Sequence, residues 1–247
     1  MCGRFVSASP PGEIARYFDA EAPEAALEPS YNVAPTNDVY VVLADGRTRR
    51  VTPMHWGLVP RWAKDPSVGN RMINARAETL ASKGAFKPAF QKRRCLVPAD
   101  GFYEWKAVPG QKRKQPVYIH RPDGEPLAFA GLWEVWRDPG ASDAEREAGG
   151  GSLRSCTIIT GEPNETVRPV HDRMPVILPR SQWDTWLDPD VHDLEVLGRL
   201  LVPAPPSLVA LRPVSTEVNN VRNKGAHLVD EVDPVPEGEL PGQSSLL

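Results

Sequence analysis

Arg94-Cys95-Leu96-Val97-Pro98-Ala99-Asp100-Gly101-Phe102-Tyr103-Glu104-Trp105 reads as a buried strand that runs into a turn and out to a carboxylate set among aromatic residues. The segment 94–97, mostly apolar and bounded by turn formers, is expected to be a strand. A glutamate placed as Glu104 is loses hydration, and its pKa is then expected to rise toward the range useful for a general acid or base. The alternative for this block alone is a glutamate on the solvated surface.

Working outward, segments 39–43, 117–120, 127–130, 155–160 and 176–178 are likewise β-branched or aromatic and bounded by turn formers, and are predicted to be strands. The 27 prolines among 247 residues exclude long helices over most of the chain, so short strands and ordered loops are expected to dominate. Helices are predicted at 12–18, 77–80, 181–187 and 191–201, with Ser181 and Asp190 as N-caps of the last two. Residues 138–152, acidic and glycine-rich, read as a flexible insertion between two strands. One domain, or two tightly fused halves, is expected over 1–230, with residues 231–247 forming a disordered tail.

Composition narrows the function classes. A chain that is 40% hydrophobic and 25% charged can bury a sizeable core. No apolar run suggests a membrane span or a signal peptide, which predicts a cytoplasmic protein without a membrane partner. Cys2, Cys95 and Cys156 are too few and too far apart for a disulfide framework or a zinc finger, and neither metal nor cofactor is expected. The net charge of −3 hides an asymmetry: between Asp45 and Gln115 there are 16 Lys/Arg against 5 Asp/Glu, a local balance of +11. Such a segment is either a solvated basic face or a surface for phosphate.

Chemistry is concentrated in four short blocks. Removal of Met1 would leave Cys2 with an α-amine and a thiol on one residue; the amine, with an ordinary pKa of ~7.7–8.0, attacks aldehydes near neutrality, and the thiol can close the resulting imine to a thiazolidine. Gly3-Arg4-Phe5 adds flexibility, a cation for phosphate and an apolar anchor. In Trp56-Gly57-Leu58-Val59-Pro60-Arg61-Trp62, Trp56 is expected in the core and Trp62, beside Arg61 and Lys64, on the surface, where it could stack on bases. His171-Asp172-Arg173-Met174-Pro175 offers a histidine that exchanges protons near neutrality or serves as a structural hydrogen-bonder.

Together with Tyr31-Asn32-Val33-Ala34-Pro35-Thr36, Asn74-Ala75-Arg76-Ala77-Glu78-Thr79 and Val218-Asn219 to Asn223, these blocks resemble, in order, the SOS response-associated peptidase (SRAP) family of abasic-site processing proteins. The resemblance implies a β-rich α+β single domain, with short antiparallel strands around a core, flanking helices and a basic DNA-binding groove. It implies a covalent DNA–protein crosslink at abasic sites through Cys2, with Asn74 orienting the deoxyribose, Glu104 as acid/base and His171 assisting. Arg4 and Arg76 correspond to phosphate contacts, and Asn32, Pro35 and Trp62 to the DNA-contacting edge. The implied partners are single-stranded DNA containing abasic sites and junctions of single- and double-stranded DNA, bound by a monomer, with AP lyase activity as a side reaction. Two other classes stay open: an N-terminal-nucleophile cysteine peptidase, and a DNA-binding module without chemistry.

Overall fold

The computed structural model describes residues 2–46, 48–147 and 150–236, and shows a β-rich α+β single domain. Among the described residues, thirteen strands and five short helices follow one another along the chain. They are β1 (Phe5–Ser7), α1 (Pro11–Tyr17), β2 (Ala20–Glu21), β3 (Ser30–Val33), β4 (Asp38–Asp45), β5 (Thr48–Trp56), β6 (Asn74–Arg76), α2 (Lys87–Lys92), β7 (Arg94–Ala99), β8 (Gly101–Lys106) and β9 (Gln115–His120). These are followed by β10 (Leu127–Arg137), α3 (Asp143–Glu147), β11 (Ser152–Gly161), β12 (Met174–Pro175), α4 (Trp183–Leu187), α5 (Leu194–Arg199) and β13 (Ala210–Pro213).

The strands form two sheets. The larger has the order β12-β11-β10-β7-β4-β5-β2, and β11 also pairs in parallel with β5 through Ser155↔His55 and Cys156↔Trp56. That contact curls β4, β5, β11, β10 and β7 into a barrel-like ring. The smaller sheet has the order β13-β9-β8-β1-β3. Alternation along β4 shows how both faces of the large sheet are covered. Val39, Val41 and Leu43 pack with Phe5, Phe102, Val117 and Ile119 of the small sheet. Tyr40 and Val42 pack with Ile14 of α1, Phe90 of α2 and Trp183 and Trp186 of α4. Burial on both sides is why β7 reads as an unbroken apolar run.

Several elements depart from the sequence reading, each for a local reason. Asp193, not Asp190, caps α5, its carboxylate accepting from Glu195 N and Val196 N, so that helix is shorter than 191–201. Ser181 caps nothing; it lies within a 3₁₀ turn, Arg180–Gln182, that leads into α4. The helix predicted at 77–80 is a single 3₁₀ turn, Ala77–Thr79. Residues 176–178 are extended but form no continuous ladder, because Val176 N donates to Ile159 O of β11 while Leu178 N donates to Ala128 O of β10. The insertion at 138–152 does join two strands, β10 and β11, but carries the helix α3, entered through a reciprocal bond in which Ser142 N donates to the Glu145 carboxylate and Glu145 N donates to Ser142 Oγ.

Of the elements that were not predicted, two strands and a helix show why most clearly. β5 contains Pro53, which falls between the stretch of its outer edge paired with β2 (Arg49, Arg50) and that paired with β11 (His55, Trp56), where a missing N–H costs least. β8 begins at Gly101, read as turn; the Tyr118 ring lies 2.5 Å from where a Cβ would stand, so only glycine fits. α2 is anchored from outside by Arg94, whose guanidinium donates to Phe90 O and Gln91 O at its end and to Trp186 O and Asp188 O at the end of α4. The ordered chain also passes the boundary expected at 230: Glu231 bridges Val214, and Val235 N donates to Gln115 Oε1. Residues 237–247 of the expected tail lie outside the described residues, as does Met1.

Candidate functional site

The N-terminal segment is threaded into the core rather than left at the surface. Phe5 pairs with Phe102 and Val6 with Gly101, while Tyr103 N donates to Arg4 O at 3.0 Å. The Phe5 ring is fully buried, edge-on to Trp56 at 5.1 Å and to Phe129 at 6.2 Å between centroids. Carried one step outward, this antiparallel register sets the residues after Met1 against Glu104 on β8. Cys2 is itself fully buried, with its thiol directed at Arg4 O, 3.9 Å away. Burial, reinforced by the Glu104 carboxylate, pushes the Cys2 thiol well above its ordinary pKa.

Asn74 reaches Cys2 from the other sheet. β6 pairs in parallel with β11 (Ile158↔Asn74), and the preceding carbonyl, Ile73 O, accepts from the indole of Trp56 at 2.9 Å. So held, Asn74 Nδ2 donates to Cys2 O at 2.8 Å, while Asn74 Oδ1 is buried without a hydrogen-bond partner. An orphaned acceptor of this kind is costly in a finished core, and its cost falls when a ligand hydroxyl or amine supplies the missing donor.

Glu104 is only 2% exposed, and burial raises its carboxyl to about 7, with Asp172 pushing in the same direction and Lys114 opposing. His171 Nε2 stands 3.8 Å from Glu104 Oε2, too far for a hydrogen bond but near enough for one mobile atom to bridge. The other ring nitrogen, Nδ1, accepts the Arg173 N–H at 3.0 Å, which favours the proton of the neutral ring on Nε2, facing Glu104. Asp172 Oδ1 lies 2.9 Å from Nδ1 and favours the charged ring; burial outweighs it and lowers the His171 pKa. Arg173 is itself braced by a bidentate pair with Glu78.

The four residues predicted to carry chemistry, Cys2, Asn74, Glu104 and His171, thus converge from four separate stretches of chain. The predicted DNA contacts divide. Trp62 is 65% exposed and Arg76 is exposed at the end of β6, both open to a ligand; Trp56 is in the core, as predicted. Pro35 is half-buried in a turn whose next residue, Thr36, has φ +70°. Asn32, by contrast, is fully buried, and its amide is committed internally: Oδ1 accepts from Arg4, and Nδ2 faces the carbonyls of Val218, Asn220 and Asn223. It shapes the loop over Arg4 rather than an outer edge. Arg4 also donates to Val218 O and Asn219 O, and its guanidinium lies over the Trp105 ring. The sequence reading assigned no role to Asp172, Lys114 or Lys224, all near these groups, because a single charged residue carries no spacing signal. Among the described residues, no cluster of three or more His, Cys, Asp or Glu could hold a metal ion, and no helix is long and apolar enough to cross a membrane.

Comparison with known proteins gives the chain its relatives. The sequence pattern of the family described as SOS response associated peptidase (SRAP) matches residues 1–221. The abasic site processing protein YoqW of Bacillus subtilis (strain 168) is 40% identical over 232 residues, spanning 93% of this chain and 99% of its own. The abasic site processing protein YedK of Escherichia coli (strain K12) is 32% identical over 243 residues, spanning 94% of this chain and all of its own. Among solved structures, a protein from Bacteroides thetaiotaomicron superposes with a TM-score of 0.80 over 94% of this chain at 22% identity, and so shares the fold. The threading of Cys2 against Asn74 and Glu104, the ordered motifs and the full-length match lead to one conclusion: the chain belongs to the SRAP family.

Proposed function

We propose that this protein processes abasic sites in DNA by forming a covalent crosslink through Cys2 once Met1 has been removed. Met1 removal converts the Cys2 amide nitrogen to a primary amine. The amine attacks the C1′ aldehyde of the ring-opened deoxyribose, a carbinolamine forms, and loss of water gives the imine. The thiol sulfur then bonds to the imine carbon while its proton passes to nitrogen, closing a thiazolidine. If closure fails, β-elimination from the imine cuts the strand, which is the AP lyase side reaction.

The observation that carries this reading is the placing of Cys2 between Asn74 Nδ2, at 2.8 Å from its carbonyl, and a buried carboxyl raised to about 7. Asn74 fixes the backbone of the nucleophile and presents an unmatched acceptor to the sugar. Near neutrality Glu104 is divided between its two protonation states, so it can take a proton during ring opening and return one as water leaves. His171, neutral with Nε2–H toward Glu104, supplies or relays that proton. A peptidase mechanism would favour a thiolate, whereas burial and Glu104 hold the Cys2 sulfur as a thiol; that suits a group which adds late, to an imine already formed.

In this reading, single strands and their junctions with duplex meet the exposed Trp62, Arg61 and Arg76, and a monomer suffices. Denaturing electrophoresis of Met1-free protein with abasic oligonucleotide tests the proposal. A one-to-one, heat-stable product is expected, absent with undamaged DNA. Turnover of an amide substrate by Cys2 without such a product would favour the peptidase instead.

A further inference from the structure

Asn32 holds two cations at once. Its side-chain Oδ1 accepts from Arg4 Nη1 at 2.9 Å, and its backbone carbonyl accepts from Lys224 Nζ. Lys224 also reaches Asn37 Oδ1 at 3.5 Å, and Tyr31 N donates back to Lys224 O. A guanidinium and an ammonium are thereby fastened to opposite ends of one buried residue. Every acceptor that either cation uses is neutral: Asn32, Val218 and Asn219 for Arg4, Asn32 and Asn37 for Lys224. Glu28 and Asp38 share the groove beside Lys224, yet neither forms an ion pair with it. Several other arginines do find carboxylates: Arg49 pairs with Asp184, Arg61 and Arg93 with Glu134, Arg180 with Asp19.

Two like charges set side by side without a counter-charge repel, and a fold that keeps them so gains when an anion binds between them. The neighbourhood depresses both groups: burial lowers each, and Arg4 lowers Lys224 further. Arg4 Nε makes no internal bond, and the ammonium retains donor capacity. Arg4 is two residues from Cys2, and Lys224 reaches Asn37, which fixes the Pro35–Thr36 turn by hydrogen bonds with Ala34 and Trp56.

We propose that Lys224 acts with Arg4 as a paired phosphate clamp, gripping the DNA backbone beside the abasic nucleotide, with Asn32 as the residue that positions both. This rests on the DNA-capture reading, and the test separates the two. Lys224→Gln removes the charge but retains a donor for Asn32 O; Lys224→Arg retains the charge. Binding of undamaged single-stranded oligonucleotide is measured against salt, and capture of abasic oligonucleotide against DNA concentration, with thermal melting to show that each variant folds.

For Lys224→Gln, the log–log salt slope is expected to shrink by ~0.7 and the half-saturating DNA concentration to rise roughly fivefold, as for loss of one phosphate contact. The saturated capture rate stays at the wild-type value, and Lys224→Arg restores slope and half-saturation. An unchanged slope in Lys224→Gln, a failure of Lys224→Arg to restore it, or a fall confined to the saturated rate would each overturn the clamp. If wild-type protein binds DNA with the expected slope but captures no abasic site, the capture reading fails while the slope still judges Lys224.

Discussion

Burial raises the pKa of both groups on which the proposed capture depends, with different consequences. It holds the Cys2 thiol protonated, and it lifts the Glu104 carboxyl into the neutral range where it can pass protons. Glu104→Gln is therefore expected to slow crosslinking by ~10²-fold or more while leaving affinity for undamaged DNA nearly unchanged, and to erase an inflection near pH 7 in the capture rate. Stability follows the same proton. The folded carboxyl titrates near 7 instead of 4.5, so its contribution is fully present below about pH 4.5 and is lost as pH rises through about 7. Denaturant melts across that window should show the decline in wild type and not in Glu104→Gln. Cys2→Ser isolates the last step: borohydride should trap its imine, but untreated product should decay, because an oxazolidine hydrolyses readily; untreated product as durable as that of wild type would remove the sulfur from the mechanism. At this scale the sequence was informative where chemistry is local. Cys2 and Glu104 could be named from their own neighbours, whereas the committed amide of Asn32 depends on carbonyls nearly two hundred residues away and left no trace in its own segment.

Elements hold the site through a few side chains that tie distant backbone together. Arg94 satisfies four carbonyls at the ends of α2 and α4 and stacks on Trp186, joining two helices to the barrel-like sheet. Arg94→Met leaves those carbonyls without their donor and should lower the unfolding free energy by about 3 kcal/mol, read from denaturant titration. Gly57, with φ +143°, packs its backbone on Gly69, whose oxygen lies 2.7 Å from where a Cβ would stand, so Gly57→Ala should destabilise by at least ~2 kcal/mol and loosen the segment leading to Asn74. Strands covered on both faces, such as β7, β10 and β11, were legible because continuous apolar runs have few other uses. β5 was hidden by Pro53, β8 by its opening glycine, and α5 was overextended because Asp190 resembles a cap as closely as Asp193 does; only the bonds to Glu195 N and Val196 N distinguish them. Short helices in a proline-rich chain take their limits from tertiary packing, which no local pattern records.

Over the whole molecule, a net charge of −3 coexists with a +11 segment, and in the proposed reading the exposed Arg76 together with the cations Arg4 and Lys224 would give DNA binding a strong ionic component. Affinity for single strands should fall with salt at a log–log slope of roughly −0.7 per neutralised phosphate, without regard to base sequence; binding that ignores salt would contradict it. The global placing of the four chemical residues was legible only as an ordered set of motifs, because their meeting depends on the two sheets facing each other across Phe5 and Trp56. Everything proposed for them reduces to one bond. Intact mass spectrometry of Met1-free protein mixed with abasic oligonucleotide, followed by peptide mapping, tests it most directly. The account predicts a species of summed mass less one water that survives heating, with the modification on Cys2; no such species, or one mapped to another side chain, would contradict it.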